Sequence, residues 1–184
     1  MKRKLVNLLF SILIILVSNS YTMGVEKQIS QKAKPADSLS IEWYKYDKGL
    51  DRAKSKNKHI FLFFRTRLCK WCNVMEKKVF VDKEVVRRLN KDFVSIKVDL
   101  DSSDKVMELK GKKISDQDVA RMYGVFSYPY SVFLEPNQKS IGVLPGYTEP
   151  ENFLLLLEYI GDNYYKKEKV EDYFKRKKQE AKKK

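Results

Sequence analysis

The chain has 184 residues, 43% of them hydrophobic and 12% aromatic, and carries 38 Lys or Arg against 24 Asp or Glu for a net charge of +14. That apolar share is ordinary for a globular protein, and the length, less a leader and a basic tail, allows one domain with a normal core. Two cysteines and one histidine cannot supply the four ligands of a structural zinc site within one chain, so no metal or other cofactor is expected.

Lys2-Arg3-Lys4 precede an apolar stretch over 5–17, interrupted only by Asn7 and Ser11, and Ser18-Asn19-Ser20 offers small residues at the two positions a signal peptidase reads. This is the pattern of a secretory signal peptide over 1–20. An uncleaved membrane anchor is the competing reading, but a spanning helix needs about 20 apolar residues. No cysteine lies near the cleavage site, which excludes a lipoprotein anchor. Cleavage after Ser20 delivers the chain to the periplasm or another extracytoplasmic, oxidising space. An exported protein rarely meets nucleic acid, so the positive charge does not make nucleic acid a partner.

Residues 21–39 are polar and contain Pro35, which makes them a linker ahead of a domain over 40–161. Ile41, Trp43 and Tyr46 come first, and Asp47 opens a short helix through Leu50, Ala53 and Lys56. Residues 60–65 begin with five apolar side chains in a row, as a strand covered on both faces does. The stretch 73–80 is helix-like, with Val74, Met75, Val79 and Phe80 as its apolar positions. Asp82 is a good N-cap for the next helix, with Val81 and Val86 spaced as a hydrophobic staple. Phe93–Asp99 reads as a second strand by its β-branched content. A small extra hairpin over 106–114, turning at Gly111, interrupts the alternation. Ser115 and Asp118 have capping-box spacing for a helix that ends at Gly124. Residues 131–134 and 140–144 form an antiparallel hairpin across Pro136-Asn137, and Thr148 with Glu151 predicts a second capping box before the apolar face 153–160. The fold class is therefore α/β, a central mixed sheet flanked by helices in the order β-α-β-α, then β-β-α. Residues 162–184 make a basic tail, in which 166–184 hold ten Lys or Arg against four acids. A solvated, frayed helix is expected there, because Tyr173-Phe174 is too small an apolar element to anchor it. The alternative is contact with anionic headgroups or an acidic partner.

Cys69-Lys70-Trp71-Cys72 holds both cysteines where the buried strand gives way to a helix. Two thiols at that spacing are placed for reversible disulfide chemistry. As a staple the pair would do little, because closing so small a loop removes little entropy from the unfolded chain. As half of a zinc site it would need ligands beyond His59, from another chain.

Strand, Cys-x-x-Cys at a helix start, and Val125-Phe126-Ser127-Tyr128-Pro129-Tyr130 leading into a later strand resemble the thioredoxin superfamily over 41–161. More closely, Cys69-x-Trp71-Cys72-x-Val74-Met75-Glu76, followed by Val79-Phe80, Leu89-Asn90 and Phe93-Val94-x-Ile96-Lys97-Val98-Asp99, is similar to exported thioredoxin-like proteins related to the soluble C-terminal domain of the transmembrane thiol reductase DsbD. The resemblance implies a thioredoxin fold and a cis peptide bond at Tyr128-Pro129 beside the dithiol. It implies that the backbone of Tyr128 pairs with an extended substrate segment. The activity that follows is an exported thiol–disulfide oxidoreductase that reduces disulfide-bearing protein clients and is re-reduced by a membrane thiol transporter. A dithiol oxidant and a non-catalytic binding or chaperone module are the alternatives.

Thiol chemistry then gives each residue a role. Cys69 lies nearest the helix N-terminus and beside Lys70, so backbone N–H groups and positive charge stabilise its thiolate for attack on a substrate disulfide. Cys72, one turn in, resolves the mixed disulfide. Trp71 either offers an apolar surface beside the reactive sulfur or packs against the sheet edge. Thioredoxins carry a buried acid six positions before the first cysteine, and here that position is Phe63. Glu76 shares a helix face with both cysteines and is either the replacement proton acceptor or a surface residue paired with a nearby Lys.

Overall fold

A computed structural model describes residues 39–101, 106–109 and 111–183. The leader expected over 1–20 and nearly all of the linker lie outside the described residues. In chain order the elements are β1 (Trp43–Tyr44), α1 (Tyr46–Lys56), β2 (His59–Arg65), α2 (Lys70–Lys78), α3 (Lys83–Asp92), β3 (Phe93–Asp99), β4 (Val106–Leu109), β5 (Lys112–Ser115), α4 (Asp116–Met122), β6 (Tyr130–Leu134), β7 (Ser140–Pro145), α5 (Pro150–Gly161), a 3₁₀ turn (Tyr164–Lys166) and α6 (Val170–Lys182). Among the described residues no helix is long and apolar enough to cross a membrane.

Five strands form one mixed sheet in the order β1-β3-β2-β6-β7. β1, β3 and β2 run parallel, while β6 is antiparallel to β2 and β7 to β6. The expected insertion is present as the separate antiparallel hairpin β4-β5. Edge strand β1 has no counterpart among the expected elements, since two residues are too few to show a period.

The apolar run of β2 has a direct structural cause. Successive side chains point to opposite sheet faces, so Ile60, Leu62 and Phe64 join Val94, Ile96 and Val98 of β3 beneath α1 and α4. Phe61 and Phe63 point the other way, into a layer with Phe80, Phe133, Phe153 and the inner side of α2 and α3. Burying a side chain of this size contributes about 1.5–3 kcal/mol, and both layers draw on this one strand. Gly49 of α1 faces β3 so closely that a Cβ there would lie 2.3 Å from Cγ1 of Ile96. Helix and sheet can meet at that distance only over a glycine.

Caps and tail show where local signals decide the structure and where packing overrides them. Asp82 Oδ1 accepts the N–H groups of Glu84 and Val85, each at 3.0 Å, as expected of an N-cap. Val81, however, is 61% exposed, because the turn closed by the Asp82 N–H on the Val79 carbonyl leaves it outside, and no staple to Val86 forms. The Ser115–Asp118 capping box is complete. The Thr148–Glu151 box is not: α5 begins at Pro150 with Glu149 as N-cap, and a proline at the first helical position already has the right φ and no N–H to satisfy. The tail is not a frayed helix over its described length. Tyr173 is buried against Tyr159 and Tyr164 with ring centroids 5.3 and 4.8 Å away, and its hydroxyl donates to Glu158 Oε2 at 3.2 Å. Lys177 pairs with Glu158 of α5 at 3.4 Å, so part of the tail's positive charge is spent on docking it.

Candidate active site

β2 delivers the chain to its C-terminal end at Arg65, and a short loop carries it to Cys69, the N-cap of α2. Cys69 Sγ accepts the backbone N–H of Cys72 at 3.0 Å. The two sulfurs form a disulfide with an S–S distance of 2.07 Å. Their environments differ sharply: Cys69 is partly exposed, whereas Cys72 is fully buried in the layer containing Met75 and Phe63. Phe63, at the position where thioredoxins carry an acid, is a buried ring in that same layer.

The cis peptide bond Tyr128-Pro129 is present. Tyr130 pairs across the sheet with Phe64, which places the Pro129 turn at the same end of the sheet as the cysteines. The Pro129 carbonyl accepts the N–H of Gly146 at 2.8 Å, tying this turn to the end of β7. Trp71 meets a ring just beyond the edge strand β7. It stacks on Tyr147 with centroids 5.3 Å apart and planes at 30°, and it keeps 53% of its surface exposed. Leu68 at 90%, Phe126 at 77% and Tyr128 at 38% are exposed as well. Apolar side chains concentrated at one end of a folded domain mark a contact surface.

Glu76 is half-buried and tied to two strands. Oε1 accepts from Lys97 Nζ of β3 at 2.7 Å, and Oε2 lies 3.7 Å from Arg65 Nε of β2. Arg65 donates further to Asp99 and to Asn73, both at 3.1 Å. The partner of Glu76 is therefore a strand lysine and not a neighbour on its own helix. Lys70 is exposed, with Nζ 6.0 Å from the Trp71 ring centroid. Arg65, Lys97 and Tyr147 belong to the site although sequence reasoning does not place them there. Lys97 carries a usable signal, a positive charge between the buried Ile96 and Val98; Gly146-Tyr147 fits the exported thioredoxin-like branch but does not indicate the contact with Trp71.

His59 stands at the opposite end of β2, about 20 Å away at strand spacing. Its Nε2 is 3.4 Å from the Tyr165 hydroxyl, which itself donates to Glu135. Burial, followed by the charge of Lys166, pushes the imidazole pKa down. It cannot reach the cysteines, and among the described residues no group of three or more His, Cys, Asp or Glu could hold a metal ion.

Comparison with known proteins agrees with this architecture. A family model named Thioredox_DsbH, described as a protein of unknown function, DUF255, matches residues 26–183. Human spermatogenesis-associated protein 20 is 32% identical over 106 residues, which make up 53% of this chain but only 12% of that much longer relative. Anterior gradient protein 2-B of Xenopus laevis is 26% identical over 147 residues, covering 76% of this chain and 79% of that protein. Among solved structures, a thioredoxin-fold protein from Helicobacter pylori superposes with a TM-score of 0.62 at 28% identity, covering 67% of this chain and 86% of that one. The thioredoxin fold expected from the cysteine and proline motifs is borne out, and the chain has the fold and paired cysteines of a thiol–disulfide oxidoreductase.

Proposed function

The chain belongs to the Thioredox_DsbH family of the thioredoxin superfamily, and from that premise we propose that it is an exported thiol–disulfide oxidoreductase that reduces disulfides of extracytoplasmic protein clients. The asymmetry of the cysteine pair carries this reading: one sulfur is accessible at a helix N-terminus and the other is buried one turn in. In the dithiol form, the N–H of Cys72 and the helix end stabilise the Cys69 thiolate, with Lys70 adding positive charge. That thiolate attacks one sulfur of a client disulfide, forming a mixed disulfide while the second client sulfur leaves as a thiolate. Cys72, deprotonated, then attacks Cys69 Sγ, expels the remaining client thiolate and regenerates the 69–72 disulfide. Two electrons pass to the client, and its two sulfurs take up two protons.

The proton of Cys72 needs an acceptor, and Phe63 is not one. Glu76 lies one helical turn beyond Cys72, held in place by Lys97 and Arg65, and takes that role. Trp71, Tyr128 and Pro129 shape the docking surface, with the Tyr128 backbone available to an extended client segment. Turnover requires a dithiol donor, for which a membrane thiol transporter is the proposed partner. Export is supported by the basic and apolar leader over 1–20, upstream of the family match that begins at 26.

The test is reduction of a disulfide-bearing client by the reduced protein. Cys69→Ser should abolish the reaction, and Cys72→Ser should trap a mixed disulfide. A Cys69→Ser/Cys72→Ser protein with full activity toward clients would make the chain a binding or chaperone module instead. The equilibrium potential of the pair separates the two redox directions: a reductase should lie near thioredoxin, about −270 mV, and an oxidant near DsbA, about −120 mV.

A further inference from the structure

The outer side of α2 carries a feature that disulfide exchange does not use. Lys70, Val74, Lys77 and Lys78 recur at i, i+4, i+7 and i+8, so they share one stripe of the helix, opposite the buried Cys72 and Met75. With Arg67 and Leu68 from the preceding loop, and with Asn73, they line an open groove of about 530 Å³. Leu68, next to the reactive cysteine in sequence, is 90% exposed. None of the four cationic side chains makes an ion pair among the described residues. Glu76 of the same helix is turned away to Lys97 and Arg65, and Asp101 at the rim accepts the backbone N–H of Arg67.

Four cations with no ion pair among the described residues repel one another along one groove and lower the energy of any anionic group that enters. Leu68 and Val74 give the same groove an apolar element, so it suits a chain that alternates acidic with apolar side chains. Because both sequence neighbours of Cys69, Leu68 and Lys70, line the groove, a client segment lying in it is close in the chain to the disulfide that Cys69 attacks. We propose that this groove selects protein clients whose reactive disulfide is flanked by Asp or Glu, the carboxylates meeting Arg67, Lys70, Lys77 and Lys78 and an apolar neighbour meeting Leu68. The proposal rests on the oxidoreductase reading and names its substrate class. Such steering acts on the encounter rate, commonly by factors of about 10 to 1,000, and fades as the screening length falls from about 10 Å at 0.1 M salt to about 3 Å at 1 M.

Two peptides with the same disulfide and apolar residues, one flanked by three Glu and the other by three Lys, provide the test. The reduced protein should react with the acidic peptide about tenfold faster at low salt, and the ratio should fall to within about twofold in 1 M NaCl. Lys77→Gln/Lys78→Gln should bring the ratio close to one, and Lys77→Glu/Lys78→Glu should invert it; the ratio cancels any change in the thiol itself. Uncharged 4,4′-dithiodipyridine, with the unmodified protein, separates the two ways to fail. If it oxidises the dithiol while both peptides react equally, the groove proposal is overturned and the redox reading stands. If no disulfide reacts, the redox reading falls and the groove proposal falls with it. A charge-reversed protein that loses binding to phosphatidylglycerol vesicles but keeps its peptide ratio would make this face a lipid contact and also overturn the proposal.

Discussion

Phe61, Phe63, Phe80, Phe133 and Phe153 form a dry layer inside α2, with Phe61 stacked on Phe133 at 5.3 Å and Phe63 edge-on to Phe80 at 4.8 Å. Around the other side of the same cysteine pair, Trp71, Phe126 and Tyr128 leave much of their ring surface in water. The first set is held by contacts on every side, and the second is held by few, at a site where an exposed ring gains nothing for the isolated fold. On the proposed function, stability and recognition fall to separate aromatic groups on the two sides of Cys69 and Cys72, and substitutions should separate them.

The largest effect should come from the inner set. Phe61→Ala, at the centre of the ring cluster, should lower unfolding stability by about 3–5 kcal/mol in urea titration of the oxidised protein. Phe126→Ala should change it by no more than about 0.5 kcal/mol while slowing exchange with a protein client; equal destabilisation by the two would erase the distinction. On the opposite sheet face, Gly49→Ala should cost about 1–3 kcal/mol through overpacking against Ile96, although alanine is the better helix former by about 1 kcal/mol. A neutral Gly49→Ala would mean that helix and strand can separate freely.

Glu76 belongs to neither set and ties α2 to β2 and β3 through Arg65 and Lys97. Glu76→Gln leaves Lys97 without its carboxylate and Arg65 with Asp99 alone, and should cost about 1 kcal/mol, a modest figure because the pair is partly exposed. It should move the Cys69 thiol titration to lower pH and slow the resolving step, measured by stopped-flow decay of the mixed disulfide. Stability loss with unchanged thiol titration would make Glu76 a strut alone. The smallest effect is expected at His59. Burial depresses its folded-state pKa below the ordinary value of about 6.5. Below that pH the unfolded chain binds the proton first, so stability is level above pH 6.5 and declines as pH falls beneath it. Urea midpoints between pH 7 and pH 5 should show this decline, and His59→Phe should remove His59's share of it.

Elements governed by local chemistry are legible in the sequence. The five apolar residues of β2, the cap at Asp82, the box at Ser115 and Asp118, and the spacing of Cys69 and Cys72 each depend on neighbours along the chain. The cis bond at Pro129 and the fold are legible through the family resemblance. What escapes a reading of the sequence depends on partners distant in the chain. Tyr173 looks too small to anchor a tail because its pocket, made by Tyr159, Tyr164 and Glu158, exists only once α5 is in place. Lys97 and Arg65 reach Glu76 from two different strands, and Trp71 finds Tyr147 across the site. Val81 and Thr148 have the right spacing for their motifs, but a tight turn and a proline determine those helix starts instead.

The mechanism depends most on Cys69 being the thiol that attacks. The direct measurement is alkylation of the fully reduced protein with less than one equivalent of iodoacetamide near neutral pH, followed by peptide mass mapping of the labelled cysteine. The partly exposed sulfur at the N-cap should carry nearly all of the label, with Cys72 modified only when the protein is unfolded. Label found first on Cys72 in the folded protein would contradict the assignment of attacking and resolving thiols, and with it the mechanism built on them.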